Sequence, residues 1–529
     1  GDAGSEALNI TFQNGYTGTV EIANGASITV YGTVLLATNA TLLVNGDFMT
    51  GILTASTGTI NASAATTFTV SVDYGGTGST GGAFNISGCT FTAPSATPII
   101  VTGTITTLSA GSFNANGGSF QFSPKISKAI GGGFSGSNSF NNFSFEHSGT
   151  GVITVTINAA GMRVNGSLSI VTSGTKTFLL NTGGIDLRGD LDVSSNLAAN
   201  ATASNNAGGS STITLGGSSL QTFIGNTSNN AGGNLPAVVI SQSGGGSIAF
   251  SDRVNFARGL TINSNGSIST NTSTVAFQNT SQTATLSGTT TTNVPFYNLT
   301  LNKSGSSFTI SSLSASWVTV SNLLTVTAGT FNTGNKLALT STAANTSAQV
   351  ASVGGTISGS VRVERFIPGS TGRKWRFLAS SVTTSDFISN NWQQQMHITG
   401  AGSGGTNCPS LTAHSNGFDA TTSNSPSIYT YDESAGAFAS IASTNSTNLT
   451  RGVGYRVFVR GARSQGCSLL DGTNPTPNNV TLSATGTLAT GTQTLNVTNG
   501  TGGGWNLLGN PFQAIIDCAD RRDKIMAYP

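Results

Sequence analysis

Three phrases each occur three times in this chain, always in the same order, and that recurrence limits the folds open to it. The first reads FQFSPKISKAIGG, ITLGGSSLQTFIG and VAFQNTSQTATLSG. After a Ser/Asn/Gly spacer each is followed by FNNFSFEHSG, LPAVVISQSG or FYNLTLNKSG. The third reads VNGSLSIVTSG, FARGLTINSNG and VSNLLTVTAG. Every phrase alternates apolar and polar residues on a period of two, the pattern of a strand with one buried side. The intervals Gly131–Ser148, Gly225–Ser243 and Gly288–Ser304 are nearly equal, whereas the whole repeat shortens from Ser148–Ser243 to Ser243–Ser304. Equivalent strands in fixed order, with insertions of variable length, predict stacked β-coils that bury one another's apolar sides. Leu168, Leu260 and Leu324 are then expected at equivalent interior positions of one continuous, elongated β-solenoid over about residues 8–355.

The same grammar fills the segment before the repeats. TVEIANGASITVYGTVLLATNATLLVNGDF sets Val20, Ile22, Ile28, Val30, Val34 and Leu36 on apolar tracks between Asn-Gly and Gly-Thr turns. Near residue 355 the composition breaks: 19 charged residues precede the break and 21 follow it, although the following part is much shorter. Trp375, Trp392 and Trp505 also follow it. With GGTISGS as hinge, the reading is an all-β chain of three parts. Residues 1–118 are an N-terminal solenoid segment, 119–355 are three divergent repeat units, and 356–529 are a β-sandwich-like module built on VRVERF, KWRFLASSV, SIYTYDE and GYRVFVRG.

Composition narrows the function classes. Charged residues are 8 % of the chain and its net charge is +2, a near-neutral balance that argues against nucleic acid or an anionic membrane as partner, since both need clustered basic charge. No run of apolar residues reaches the ~18 that a membrane-spanning helix needs. Uncharged Thr- and Asn-rich strands with glycine punctuation suit an extracellular β-fold. Of the four cysteines, Cys408 and Cys467 share the C-terminal region and are the expected disulfide. Cys89, far from both, reads as a small buried apolar filler.

The succession Q-x-h-x-G, F-x-N-L-x-h-x-x-S-G, G-x-L-x-h-x-x-G-x-h resembles secreted and cell-surface repeat proteins of the Bacteroidota, typically cargo of the type IX secretion system. SGSVRVERFIPG, GRKWRFLASSV, RGVGYRVFVRG and GWNLLGNPF are similar to a module recurrent in such proteins. The likeness covers about residues 119–516. It implies export and a location outside the cell or on its surface. Family members usually end in a separate sorting domain, which CADRRDKIMAYP, following Asp517, does not resemble.

Three clusters carry candidate chemistry. In GGIDLRGDLDVSS, Ile185, Leu187, Leu191 and Val193 fall on one side, leaving Asp186, Arg188, Asp190 and Asp192 on the other. Asp186, Asp190 and Asp192 are a weak Ca²⁺ candidate, of the kind polysaccharide lyases on β-helices use, against a solvated face with local ion pairs. In GYRVFVRG, Arg456 and Arg460 flank Phe458 opposite Tyr455, Val457 and Val459; with Arg463 they are a candidate surface for an acidic ligand or partner. The three tryptophans read either as a sugar platform or as buried anchors. Glu146–His147 aligns with Ser241–Gln242 and Asn302–Lys303 in the sister repeats and reads as outward decoration.

No catalytic residue, metal centre or cofactor is assigned. The expected function is that of an extracellular structural or adhesive protein, binding glycans or other surface proteins or assembling into a filament through a head-to-tail homo-oligomer. The alternative is a β-helix polysaccharide lyase or glycan hydrolase.

Overall fold

A computed structural model describes residues 5–71, 82–147, 151–172, 177–194, 209–226, 233–263, 266–278, 282–314, 316–344, 346–407, 412–471 and 476–516. The chain is nearly all β, with 48 % strand and 3 % helix, and its parallel coils make a β-solenoid of about 13 turns. It divides into two compact units, Gly1–Thr291 and Thr292–Pro529, a division that falls inside the third sequence repeat.

In the first unit each coil lays down strands in three parallel ladders. One ladder runs Phe48, Phe68, Ile99, Phe120, Phe143, Leu168, Leu191 and Phe223. A second runs Val34, Leu53, Phe84, Ile105, Ile130 and Ile157. The third ladder contains Leu42, Ile60, Phe91 and Phe113, and later in the chain Ile185, Ile213, Val238, Leu260 and Leu286. The period-two alternation explains why these residues and not their neighbours point inward, since successive side chains of a strand leave by opposite sides. Val20 is 40 % exposed because its strand, Thr19–Ile22, ladders on one side only, with Thr41–Val44.

Phenylalanine fills the inner tracks, with linked ring contacts from Phe48 to Phe178 and a second group from Phe223 to Phe277. Phe91 stacks on Phe113 at 5.8 Å, Phe113 meets Phe140 at 5.2 Å, and Phe120 stacks on Phe143 at 5.4 Å. Offset and edge-on ring contacts of this kind add to burial, at about 0.5–1.5 kcal/mol per pair. Corners between strands need close backbone approach. At Gly58, where φ is +80°, an added Cβ would lie 2.5 Å from the Thr38 carbonyl oxygen and 2.6 Å from that of Ala40.

Leu168 and Leu260 are fully buried, as expected, and each stacks on its own second phrase: Phe143 pairs with Leu168 and Val238 with Leu260. Their positions are nevertheless not equivalent. Leu168 lies in the first ladder and Leu260 in the third, and Val275 of the third copy pairs with Val254 in yet another run of strands. The sequence repeat is therefore out of phase with the coil, and successive copies begin on different sides of it.

In the second unit the long strands Val294–Leu313 and Val318–Asn332 bend around the coil. Leu299 pairs with Leu324 and Phe308 with Phe331 across them. Parallel stacking continues to Val361–Ile367, just after the break in composition, and there the pattern changes. That strand pairs antiparallel with Val480–Leu488, which closes the open edge of the last coil. The remaining strands are antiparallel. Val382–Thr384 adds to Val480–Leu488, and a four-stranded sheet runs in the order Lys374–Ala379, Gly454–Val459, Ile428–Asp432, Ala437–Ser440.

Candidate functional site

The four-stranded sheet carries the most unusual surface of the second unit. Its register sets Trp375 opposite Phe458, Phe377 and Tyr429 opposite Arg456, and Tyr431 opposite Phe438. Directly opposed residues of antiparallel strands share a side, so six aromatic rings and one arginine lie together. The other side buries Ile428, Tyr455 and Val457, with the Trp392 ring edge-on to Tyr455 at 5.7 Å. With one side of the sheet packed, the aromatic side is left open: Trp375 is 41 %, Phe377 45 % and Phe438 36 % exposed.

Ring contacts on this side form two groups, which Arg456 bridges. Phe458 meets Trp375 at 5.0 Å, Trp375 meets Tyr429 at 5.7 Å, and Phe438 meets Tyr431 at 5.3 Å and Phe377 at 6.1 Å. Arg456 sits in the middle, its guanidinium carbon 4.4 Å from the centre of the Trp375 ring and 4.9 Å from that of Phe438. Both contacts are within cation–π range.

Of the three arginines expected on one surface, only Arg456 is on this open side. Arg460 is buried, stacked 4.8 Å over Phe458, and donates from Nη2 to the Thr399 hydroxyl at 3.1 Å. The Arg463 guanidinium donates to both oxygens of the fully buried Asp419, each at 2.7 Å. His397 Nδ1 donates to the same carboxylate at 3.2 Å, as does the Ile398 amide at 3.0 Å. Burial pushes the Asp419 carboxyl up, but the hydrogen bonds from His397 and Arg463 outweigh it and hold the group below the usual carboxylate range. This pair has the outline of an oriented catalytic histidine. However, His397 Nε2 is buried without a hydrogen-bond partner among the described residues, so none of them stands beside it as a nucleophile. In sequence His397 is an isolated histidine outside any His-x-His or His-Glu-x-x-His pattern, and the only sign of Asp419 is a lone acid between Phe418 and Ala420.

The acidic cluster of the first unit is divided among local partners. Asp186 receives Arg163 Nε and Arg188 Nη2, both at 2.8 Å, while Arg188 Nη1 donates to the Gly216 carbonyl. Asp190 accepts the Thr222 amide at 2.7 Å, and Asp192 accepts the amide and hydroxyl of Ser194 at 2.8 and 2.6 Å. Ile185, Leu187, Leu191 and Val193 are buried beneath them as the alternation requires. Among the described residues no group of three or more His, Cys, Asp or Glu side chains is placed to hold a metal ion.

Two readings from sequence need correction or restriction. His147 is not outward decoration: it is buried, with Nε2 2.9 Å from the Gly151 carbonyl and its ring 5.3 Å from Phe178. Phe143 and Phe145 point inward, and His147 continues their track one residue past the end of the strand Asn142–Glu146. Its counterpart Lys303 is likewise buried. Cys467 is disulfide-bonded, whereas Cys408, its expected partner, lies outside the described residues. Cys89 is a free, buried thiol, as expected of a filler. The tryptophans divide, with Trp392 buried and Trp375 and Trp505 exposed.

Comparison with known proteins finds no matching family model, no similar curated protein and no similar solved structure. Among the described residues no helix is long and apolar enough to cross a membrane.

Proposed function

We propose that this chain is a non-enzymatic surface or secreted protein whose solenoid coils act as a scaffold and whose antiparallel sheet binds glycans. The observation that carries the reading is the open aromatic side of that sheet, with Trp375, Phe377 and Phe438 each exposed by a third or more. Flat apolar rings flanked by polar groups suit sugars, whose C–H faces stack on aromatic rings while their hydroxyls stay hydrated. Export of the type used by Bacteroidota surface proteins accords with the repeat phrases and the neutral, Thr- and Asn-rich strands. Repetition of such a molecule on a surface would turn weak single contacts into firm attachment.

Affinity electrophoresis of the full chain through gels containing a panel of polysaccharides tests the reading. Retardation that is lost in Trp375→Ala and Phe377→Ala variants is the expected result. Unretarded migration in every polysaccharide would refute it. The lyase or hydrolase alternative rests on Asp186, Asp190 and Asp192, and release of unsaturated or reducing sugar ends, abolished by Asp190→Ala, would establish it instead.

A filament is a second reading. It draws on the first coil, where Ser5–Ala7, Ile10–Phe12 and Thr19–Ile22 each ladder with one later strand. A head-to-tail contact there would be heterologous and would propagate, and negative-stain images of concentrated protein would reveal it.

A further inference from the structure

Resting on the glycan reading above, the geometry points to a specific class of ligand: an acidic polysaccharide whose uronate carboxylate is taken by Arg456 while the sugar ring lies on Trp375 and Phe377. Arg463 closes on a carboxylate, and Arg460 donates to Thr399. Arg451 donates to the Thr487 and Leu488 carbonyls, both at 3.2 Å. Arg456, by contrast, makes no hydrogen bond or ion pair among the described residues, and its contacts are the rings of Trp375 and Phe438. An arginine stacked on aromatic rings keeps its N–H groups in the guanidinium plane, directed away from the π-faces it covers. Those donors form the fork that matches a carboxylate.

The position of the cation matters as much as its freedom. Arg456 faces Phe377 across one strand pair and Tyr429 across the other, so it lies at the centre of the aromatic side and not at its rim. Rings on both sides lower the local dielectric and limit competition from water, so a charge pair formed there is stronger than one formed at an open surface. The rings also fix the side chain in place, which reduces the entropy lost when a ligand carboxylate docks. No carboxylate of the described residues pairs with Arg456, so among them its charge is uncomplemented and its fork is open to a ligand carboxylate. A neutral sugar would use the rings but leave the guanidinium unmatched. A protein carboxylate would use the guanidinium but gain little from two exposed rings two residues apart on one strand. A uronate uses both.

The test compares binding of the full chain to polygalacturonate with binding to the same polymer after methyl esterification, which removes the charge and keeps the sugar ring. Polyglutamate serves as a carboxylate without sugar. Polygalacturonate should bind at least roughly tenfold more tightly than the esterified polymer, and Arg456→Gln should remove that preference. Trp375→Ala should weaken both polysaccharides. Arg456→Lys keeps the charge but not the fork, and should fall between wild type and Arg456→Gln. Circular dichroism checks folding, and if Arg456→Gln misfolds, the esterification contrast with wild-type protein still decides. Equal binding of the two polymers would overturn the acidic ligand and leave the glycan reading standing. Binding of polyglutamate as tight as that of polygalacturonate, insensitive to Trp375→Ala, would overturn it in favour of a protein partner. Absence of binding to all polysaccharides would overturn both.

Discussion

Arg463 and Asp419 are joined by two parallel hydrogen bonds, Nη1 to Oδ2 and Nη2 to Oδ1, each 2.7 Å, on a carboxylate with 1 % of its side chain exposed. The contact ties the turn Arg463–Gln465 to Asp419, which also holds His397 and the Ile398 amide, while Arg463 Nη1 donates to the Gln393 carbonyl at 3.3 Å; together they anchor the segment that carries Trp392, on the packed side of the aromatic sheet. Breaking such a pair leaves a buried charge without its counter-ion. Arg463→Ala should therefore destabilise the protein by about 3 kcal/mol, and adding Asp419→Asn should recover part of that loss. Urea denaturation of the two variants measures both effects.

Acid should act through the same carboxylate. A folded-state value held below the ordinary 3.8 means that the unfolded chain binds the proton more readily than the folded one. The stability contributed by Asp419 is present above that ordinary value and is lost as pH falls through the folded one. Wild-type stability should thus decline more steeply below pH 3.8 than that of Asp419→Asn, as followed by denaturant midpoints.

Cys89 predicts a loss at the other end of the scale. Burial pushes its thiol from 9.0 up to about 12, with the hydrogen bonding at its own backbone opposing weakly. In the unfolded chain the thiol ionises near its ordinary value, so between the two values the unfolded state holds fewer protons. Its contribution is full below pH 9.0 and is lost as pH rises toward 12. Cys89→Ala should flatten that alkaline decline. Native protein should also resist thiol reagents at this residue at neutral pH, because the reactive thiolate is suppressed.

The two aromatic populations should respond oppositely to truncation. Phe113 is buried and touches Phe91, Phe120, Phe134 and Phe140, so Phe113→Ala should cost about 3–5 kcal/mol. Phe377 is 45 % exposed, and Phe377→Ala should cost well under half of that while impairing ligand binding. Thermal unfolding of the pair separates structural rings from binding rings.

What the sequence revealed follows from where physical information is local. Alternation is local, so the inward placement of Ile185, Leu187, Leu191 and Val193 could be read directly. Tyr455, Val457 and Val459 opposite Arg456 and Phe458 could be read in the same way. Which strand meets which is not local. Nothing in KWRFLA says that Trp375 will lie opposite Phe458, and so the aromatic side appears only once the pairing is known. His147 differs for another reason: variation between the copies, with Gln242 and Lys303 at its place, reads as an outward position, although the inward track of Phe143 and Phe145 continues through it and its amide still donates to the Val171 carbonyl at 3.1 Å. Alternation sets Arg460 with Arg456, and proximity in sequence adds Arg463, yet each of the two has its own partner on another segment.

The mismatch between sequence repeat and coil leads to the sharpest structural test. In a solenoid each coil contacts its neighbours, so removing one whole coil should leave the remaining ladders in register. Phe143 pairs with Phe120 on one side and with Leu168 on the other, and all three occupy the same ladder. Deleting residues 143–167 would therefore bring Leu168 onto Phe120 with every later strand unchanged in its place. Deleting residues 120–212 instead removes one sequence repeat and joins Ser119 to Ile213, which belongs to a different ladder. Every strand downstream would then be displaced by one side of the coil, setting corner glycines such as Gly225 where strands must run and strands where the chain must turn. The first deletion should keep the β-rich circular dichroism spectrum and a cooperative unfolding transition. The second, although it respects the sequence repeat, should lose cooperativity or aggregate. Equal behaviour of the two variants would mean that the coil can change phase freely, and that the ladders are set by the phrases and not by the corners between them.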